Sequence, residues 1–174
     1  MTIKLLLTDS SKEITDVCES IEKALVEISE FNGLSLMVRL LVNFDDLLET
    51  DEKNSWIKNT GVIYRNATQT IYVYHHTFSL LPDQVQEAAF VHEIARALVN
   101  HDSLMDILTK DEKFGEELLA DYLVCKWGFF EGLRTERMSS YGQYYIEALN
   151  KWRDANEYIK AMNLWHARKN AGRV

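Results

Sequence analysis

The sequence predicts a single α+β domain, and three observations carry that prediction. Short β-rich runs alternate with longer stretches that repeat apolar residues at helical spacing. The 174 residues are 47 % apolar and 26 % charged, a balance that builds a core without cross-links. No repeat, low-complexity stretch or linker divides the chain, so residues 1–174 read as one domain. Residues from about 131 to 174 read as a helical extension packed on it.

Ile3 to Leu7 reads as a strand. Ser10 then opens a helix with Glu13 three residues on, the capping-box spacing. Ile14, Val17, Cys18, Ile21, Leu25 and Ile28 follow at helical intervals until Asn32-Gly33. Leu34 to Val42 is an unbroken apolar run, expected as a buried strand. Acidic residues crowd Asp45 to Glu52, read as a loop or a turn of helix. Gly61 to Tyr64 and Thr70 to Tyr74 flank Asn66-Ala67-Thr68-Gln69, the pattern of a hairpin. Pro82, with Asp83 and Glu87 after it, marks the start of a helix whose buried pattern runs from Val85 to Val99. A further helix is expected from about Lys113 to Trp127, stopped by Gly128. Tyr145, Leu149, Trp152, Ile159 and Met162 continue an apolar stripe into the C-terminal segment.

A net charge of −8 argues against a nucleic-acid-binding surface, which needs clustered Lys and Arg. The basic cluster Arg168, Lys169 and Arg173 reads as a solvated tail. The apolar run at the N-terminus is too short for a signal peptide or a membrane span. Cys18 and Cys125, each inside a helical pattern, read as free thiols in a reducing compartment. A cytoplasmic protein without nucleic-acid or membrane partners is the expectation.

The informative segment is Val91-His92-Glu93-Ile94-Ala95-Arg96. It follows H-E-x-x-H up to its last position. Two residues four apart on a helix lie about 40° from one full turn, so two histidines so placed converge on one ion. Farther on, Glu117-Leu118-Leu119-Ala120-Asp121 sets two carboxylates four apart on another helix. Jointly these motifs, with the hairpin before them, resemble the small gluzincin-type zinc metallopeptidases, over about residues 60–130. The resemblance implies a zincin-like domain: a small mixed sheet with an edge strand, an active-site helix and a third-ligand helix. It implies His92 and Glu117 as zinc ligands, Glu93 as general base, and Asp121 as the residue orienting them. It also suggests a phage, plasmid or bacterial source.

Arg96 stands where the second histidine belongs. A guanidinium has no lone pair to give and stays protonated. At about 4 Å and an effective dielectric near 20, a dication beside it is opposed by about 8 kcal/mol. A complete structural zinc site is worth about 10–16 kcal/mol. With one ligand lost as well, the expectation is no bound cofactor, and an ion pair from Arg96 to Glu117 or Glu93 in place of zinc. Zinc belongs only to the alternative of an atypical ligand set.

Other histidines offer little. His101 lies nine residues after His92, about 180° away, and reaches an ion there only if the helix ends near Asn100. In a strand, His75 and His76 would point to opposite faces, so at most one serves a metal. His166 has no partner in the pattern. The chain lacks a glycine-rich phosphate loop, a serine nucleophile elbow and a metal-spaced cysteine pair. The aromatic run Tyr141 to Tyr145 reads as interhelix packing.

Three functions remain. One is a non-hydrolysing pseudo-peptidase that binds a protein or peptide, with strand addition at the sheet edge as its mode. Another is an active zinc metallopeptidase with an atypical ligand set. The third is a structural or assembly protein in which His92 and Glu93 are incidental.

Overall fold

The computed structural model describes residues 4–8, 12–25, 35–41, 60–101, 115–140, 142, 143, 145–147 and 150. They form a mixed α+β fold around a four-stranded sheet. In chain order the elements are β1 (Lys4–Leu7), α1 (Lys12–Ala24), β2 (Ser35–Leu41), β3 (Val62–Arg65), β4 (Thr70–Tyr74), α2 (His75–Phe78), α3 (Asp83–His101), α4 (Gly115–Lys126) and α5 (Phe130–Ser140).

The strand order is β1-β2-β4-β3. β1 pairs parallel with β2, and β2 parallel with β4. β3 and β4 are the expected antiparallel hairpin, closed by a 3-10 turn over Asn66–Thr68. Gln69 leaves that turn with φ +50, and its side-chain amide donates to the Asn66 carbonyl. The edge next to α3 is β3. The strand leading into His75-His76, expected as the edge, is β4 and lies inside the sheet.

β2 corrects another expectation. The run 34–42 reads as buried throughout, yet Leu36 and Val38 are buried while Met37 and Arg39 are exposed. Helices cover one face of the sheet, so its pleat decides which side chains reach the core. Ile14, Cys18 and Ile21 of α1, Leu25 just after it, and Ala88, Val91 and Ala95 of α3 pack there against Leu36, Val38, Ile71 and Val73. Both cysteines are free thiols, Cys18 buried and Cys125 only partly so. Burial, with Glu22 and Glu19 nearby, pushes the Cys18 thiol up to about 12.

The Pro82 carbonyl accepts the N–H groups of Val85 and Gln86 and so launches α3. α4 stops as expected at Gly128, φ +97: Phe129 N–H donates to Val124 O and Gly128 N–H to Cys125 O, a Schellman ending. That turn sends α5 back across α3. The two helices meet at Gly132, where any side chain would overlap the Gln84 carbonyl and the Ala88 methyl. The close approach fixes how deeply the residues one turn further along α5 enter the molecule.

Ser10, Glu13, Ile28, Asn32-Gly33, Asp45–Glu52, Tyr141, Leu149 and everything after residue 150, Arg168, Lys169, Arg173 and His166 included, lie outside the side chains or residues described. No described helix is long and apolar enough to cross a membrane.

Candidate functional site, a buried histidine and arginine network

α3 is apolar on nearly all sides. Ala88, Phe90, Val91, Ile94, Ala95 and Ala97 are buried, so any polar residue among them must find its partner inside the protein. His92 and Glu93 are the two that do, with relative exposures of 1 % and 0 %. Successive residues on a helix diverge by about 100°, so they serve different neighbours.

His92 faces α4 and α5. Its Nδ1 lies 2.6 Å from Asp121 Oδ1. The same carboxylate takes two hydrogen bonds from one guanidinium, Arg137 Nε to Oδ2 and Nη2 to Oδ1, both 2.6 Å. The Tyr145 hydroxyl donates to Oδ2 at 2.5 Å. Arg137 Nη2 also sits 3.1 Å from Nδ1 and 3.4 Å from Nε2 of His92, and Nη1 lies 3.0 Å from Glu136 Oε2. Asp121 and Arg137 are both wholly inaccessible to solvent.

The electrostatics follow. Burial alone would raise the Asp121 carboxyl, but Arg137 and His92 outweigh it and hold the acid well below the usual carboxylate range. Burial likewise works against the charge on Arg137, and Asp121 more than restores it. With Asp121 ionised, the proton on His92 belongs on Nδ1, where Asp121 accepts it. Arg137 Nη2 lies near both ring nitrogens, somewhat closer to Nδ1 than to Nε2. A carboxylate behind a histidine is the arrangement that orients ligands in zinc sites. The Arg137 guanidinium lies against this histidine.

Glu93 faces the sheet. The Tyr64 backbone N–H donates to its Oε2 at 2.7 Å. Tyr74 N–H bonds Gly61 O, which makes 61/74, 63/72 and 65/70 the bonded pairs of the hairpin. The Tyr64 amide therefore points out of the sheet, and Glu93 satisfies it. The opposite edge repeats the device: Leu5 N–H on β1 donates to Glu22 Oε1 of α1 at 2.7 Å. Arg96 Nη1 approaches Glu93 Oε2 at 3.4 Å and keeps a relative exposure of 24 %. Burial raises the Tyr64 phenol, partly offset by the Gln69 contact and the charge of Arg96.

The sequence residues thus divide. His92 and Asp121 meet as expected, and Arg96 pairs with Glu93. Arg96 is nevertheless not the cation beside His92, because Arg137 holds that place. Glu117 lies on α4, but its side chain is outside the described set. α3 ends at His101, within one residue of Asn100, and the His101 side chain and residues 102–114 lie outside the described set. His75 and His76 open α2 instead of ending a strand, about 100° apart and not on opposite faces. Among the described residues, no group of three or more His, Cys, Asp and Glu side chains is placed to hold a metal ion.

From the sequence, Arg137 has no role and Tyr145 reads as interhelix packing, without its hydrogen bond to Asp121. A signal for Arg137 existed. It stands four residues after Leu133, on the apolar stripe of α5, and a buried Asp121 needs a cation beyond a neutral imidazole.

Comparisons with family models, with curated proteins and with solved structures find no match to this chain.

Proposed function

We propose that this chain is a metallopeptidase-like protein that does not hydrolyse peptides and acts by binding a protein or peptide partner. The observation that carries the reading is Arg137, whose guanidinium sits on Asp121 and against both ring nitrogens of His92. Zinc at His92 would stand beside that fixed charge, opposed by several kcal/mol at protein-like dielectric. It would have neither a second imidazole nor, among the described side chains, a third ligand. The described residues do not fit the metal.

Glu93 supports the same reading. A general base must reach the proton it takes, within hydrogen-bond distance or through one water. Here the carboxylate is inaccessible and satisfies the open edge of β3. That contact also narrows the binding mode. Strand addition at β3 would need the Tyr64 amide, which Glu93 already occupies, and the Leu5 amide on β1 is occupied by Glu22. Strand addition through those two amides would have to displace the carboxylates.

The His92–Asp121 contact favours a second reading, an active zinc enzyme in which Arg137 withdraws. Metal analysis of protein purified without chelator separates the two. Less than about 0.1 zinc per chain, with no peptide cleavage when zinc is added, is expected. Near-stoichiometric zinc and cleavage abolished by Glu93→Gln would establish the enzyme instead.

A further inference from the structure

The four strands carry three cations, Lys4, Arg39 and Arg65, and no Asp or Glu. Side chains alternate along a strand, and the registers place all three cations on the face turned away from α1 and α3. One end of that face is closed, with Leu41 and Ile63 buried against Tyr72 and Tyr74. The other end is open. Leu6 there is 51 % exposed and Met37 44 %, and Lys4, Ser35 and Arg39 around them are exposed too. Leu6 and Met37 are register partners on adjacent strands, ~4.8 Å apart, so two of the four large apolar residues exposed among the described ones form one patch. Arg39 pairs in register with Tyr72, and the Arg65 guanidinium lies over the Tyr72 ring, 5.9 Å from its centroid. Tyr72 thus has an arginine on each side at the border of the patch. Lys4 and Arg39 form no ion pair among the described residues.

We infer that this open end of the sheet face binds an acidic, amphipathic segment of a protein partner, one that alternates aspartate or glutamate with aliphatic residues. Charge complementarity names the occupant: a chain of net charge −8 gathers cations alone on this face. A guanidinium matches a carboxylate with paired donors, so Arg39 and Arg65 suit the acids of such a segment. Leu6 and Met37 give its aliphatic side chains an apolar surface to cover, and methionine adapts its shape to what lies on it. A nucleic acid fits less well. The exposed pair is aliphatic and offers bases no stacking platform, and the net charge of the chain repels a long polyanion. The inference rests on the binding role proposed above and names its surface. It fails separately from the zinc question, because the patch lies across the sheet from α3 and its occupancy is read without reference to His92.

The test is titration of the isotope-labelled full chain with an acetylated, amidated octapeptide alternating leucine and glutamate, followed by amide chemical shifts. Saturable shifts centred on Leu6, Met37, Arg39 and Tyr72 are expected. The Lys4→Gln/Arg39→Gln double variant should bind about five-fold more weakly, in line with two exposed charge contacts. Met37→Ser should weaken binding about three-fold through its lost apolar contact. These positions are exposed, so the variants keep the spectrum of the rest of the molecule. Lys12→Gln/Lys23→Gln removes the same charge from exposed positions on α1, across the sheet, and should leave binding unchanged. Equal losses in the two double variants would reduce the effect to net charge and overturn the inference. So would undiminished binding by the Lys4→Gln/Arg39→Gln variant, or equal binding by a peptide with glutamine for glutamate. Tighter binding of an octathymidylate would assign the face to nucleic acid instead, and shifts at Leu6 and Met37 that follow protein concentration without peptide would assign it to a second copy.

Discussion

The Glu93 carboxylate accepts the backbone N–H of Tyr64 at 2.7 Å, and so the acid that looks like a general base in the sequence is the cap of a sheet edge. Glu22 does the same for Leu5 at the other edge. Each carboxylate closes an amide that would otherwise offer a pairing site to another strand.

Glu93→Ala would leave the Tyr64 amide buried without an acceptor and Arg96 without its carboxylate. We expect a loss of about 1–3 kcal/mol in urea unfolding. Glu93→Gln keeps an acceptor oxygen and should lose less than half of that. Equal losses in the two variants would show that the charge, and not the edge amide, is what matters.

Arg137→Ala strands Asp121 in the core. Removing one partner of a buried ion pair costs about 3–5 kcal/mol, and urea midpoints should fall accordingly. Arg96→Ala should lose about 1 kcal/mol or less, because its pair is longer and partly open to water. The reverse order would transfer the central role to Arg96.

The pH dependence of Asp121 has a definite sign. Its carboxyl is depressed in the folded protein, so its stabilisation is fully present above the unfolded value near 3.9. It is lost as pH falls below that value toward the folded one. The side-chain carboxyl carbon resonance of Asp121 should therefore not titrate between pH 7 and pH 3. A midpoint near 3.9 would mean that Arg137 and His92 do not hold it.

Gly132→Ala tests how α5 is docked. The added methyl collides with the Gln84 carbonyl, a backbone group that cannot swing away. Overpacking of this kind costs about 1–3 kcal/mol, and here it should also disturb the Tyr145 and His92 resonances, since α5 carries Arg137. Stability and spectra like the parent's would show that the α3–α5 approach is looser than described.

Much of this fold is legible in residue order because its punctuation is local. Pro82 starts one helix and Gly128 ends another through local backbone chemistry, and the hairpin turn is written in Asn66 to Gln69. The His92–Asp121 contact is legible because helical spacing sets both residues on definite faces. Arg137 is not legible in the same way. It reaches His92 from 45 residues away, through a helix crossing that depends on the absence of a side chain at Gly132. The exposure of Met37 was hidden too, since an apolar run does not say which of its side chains the pleat turns toward the core. Arg96 misleads because position four after a histidine implies convergence, while a long side chain is free to turn toward Glu93.

The central claim is that a guanidinium takes the place of a metal beside His92. A crystal structure of protein grown with zinc, with anomalous scattering recorded at the zinc edge, tests it most directly. The account predicts no anomalous peak within about 3 Å of His92 Nε2 and the Arg137 guanidinium still on Asp121. A strong peak coordinated by His92, with Arg137 turned away, would contradict it.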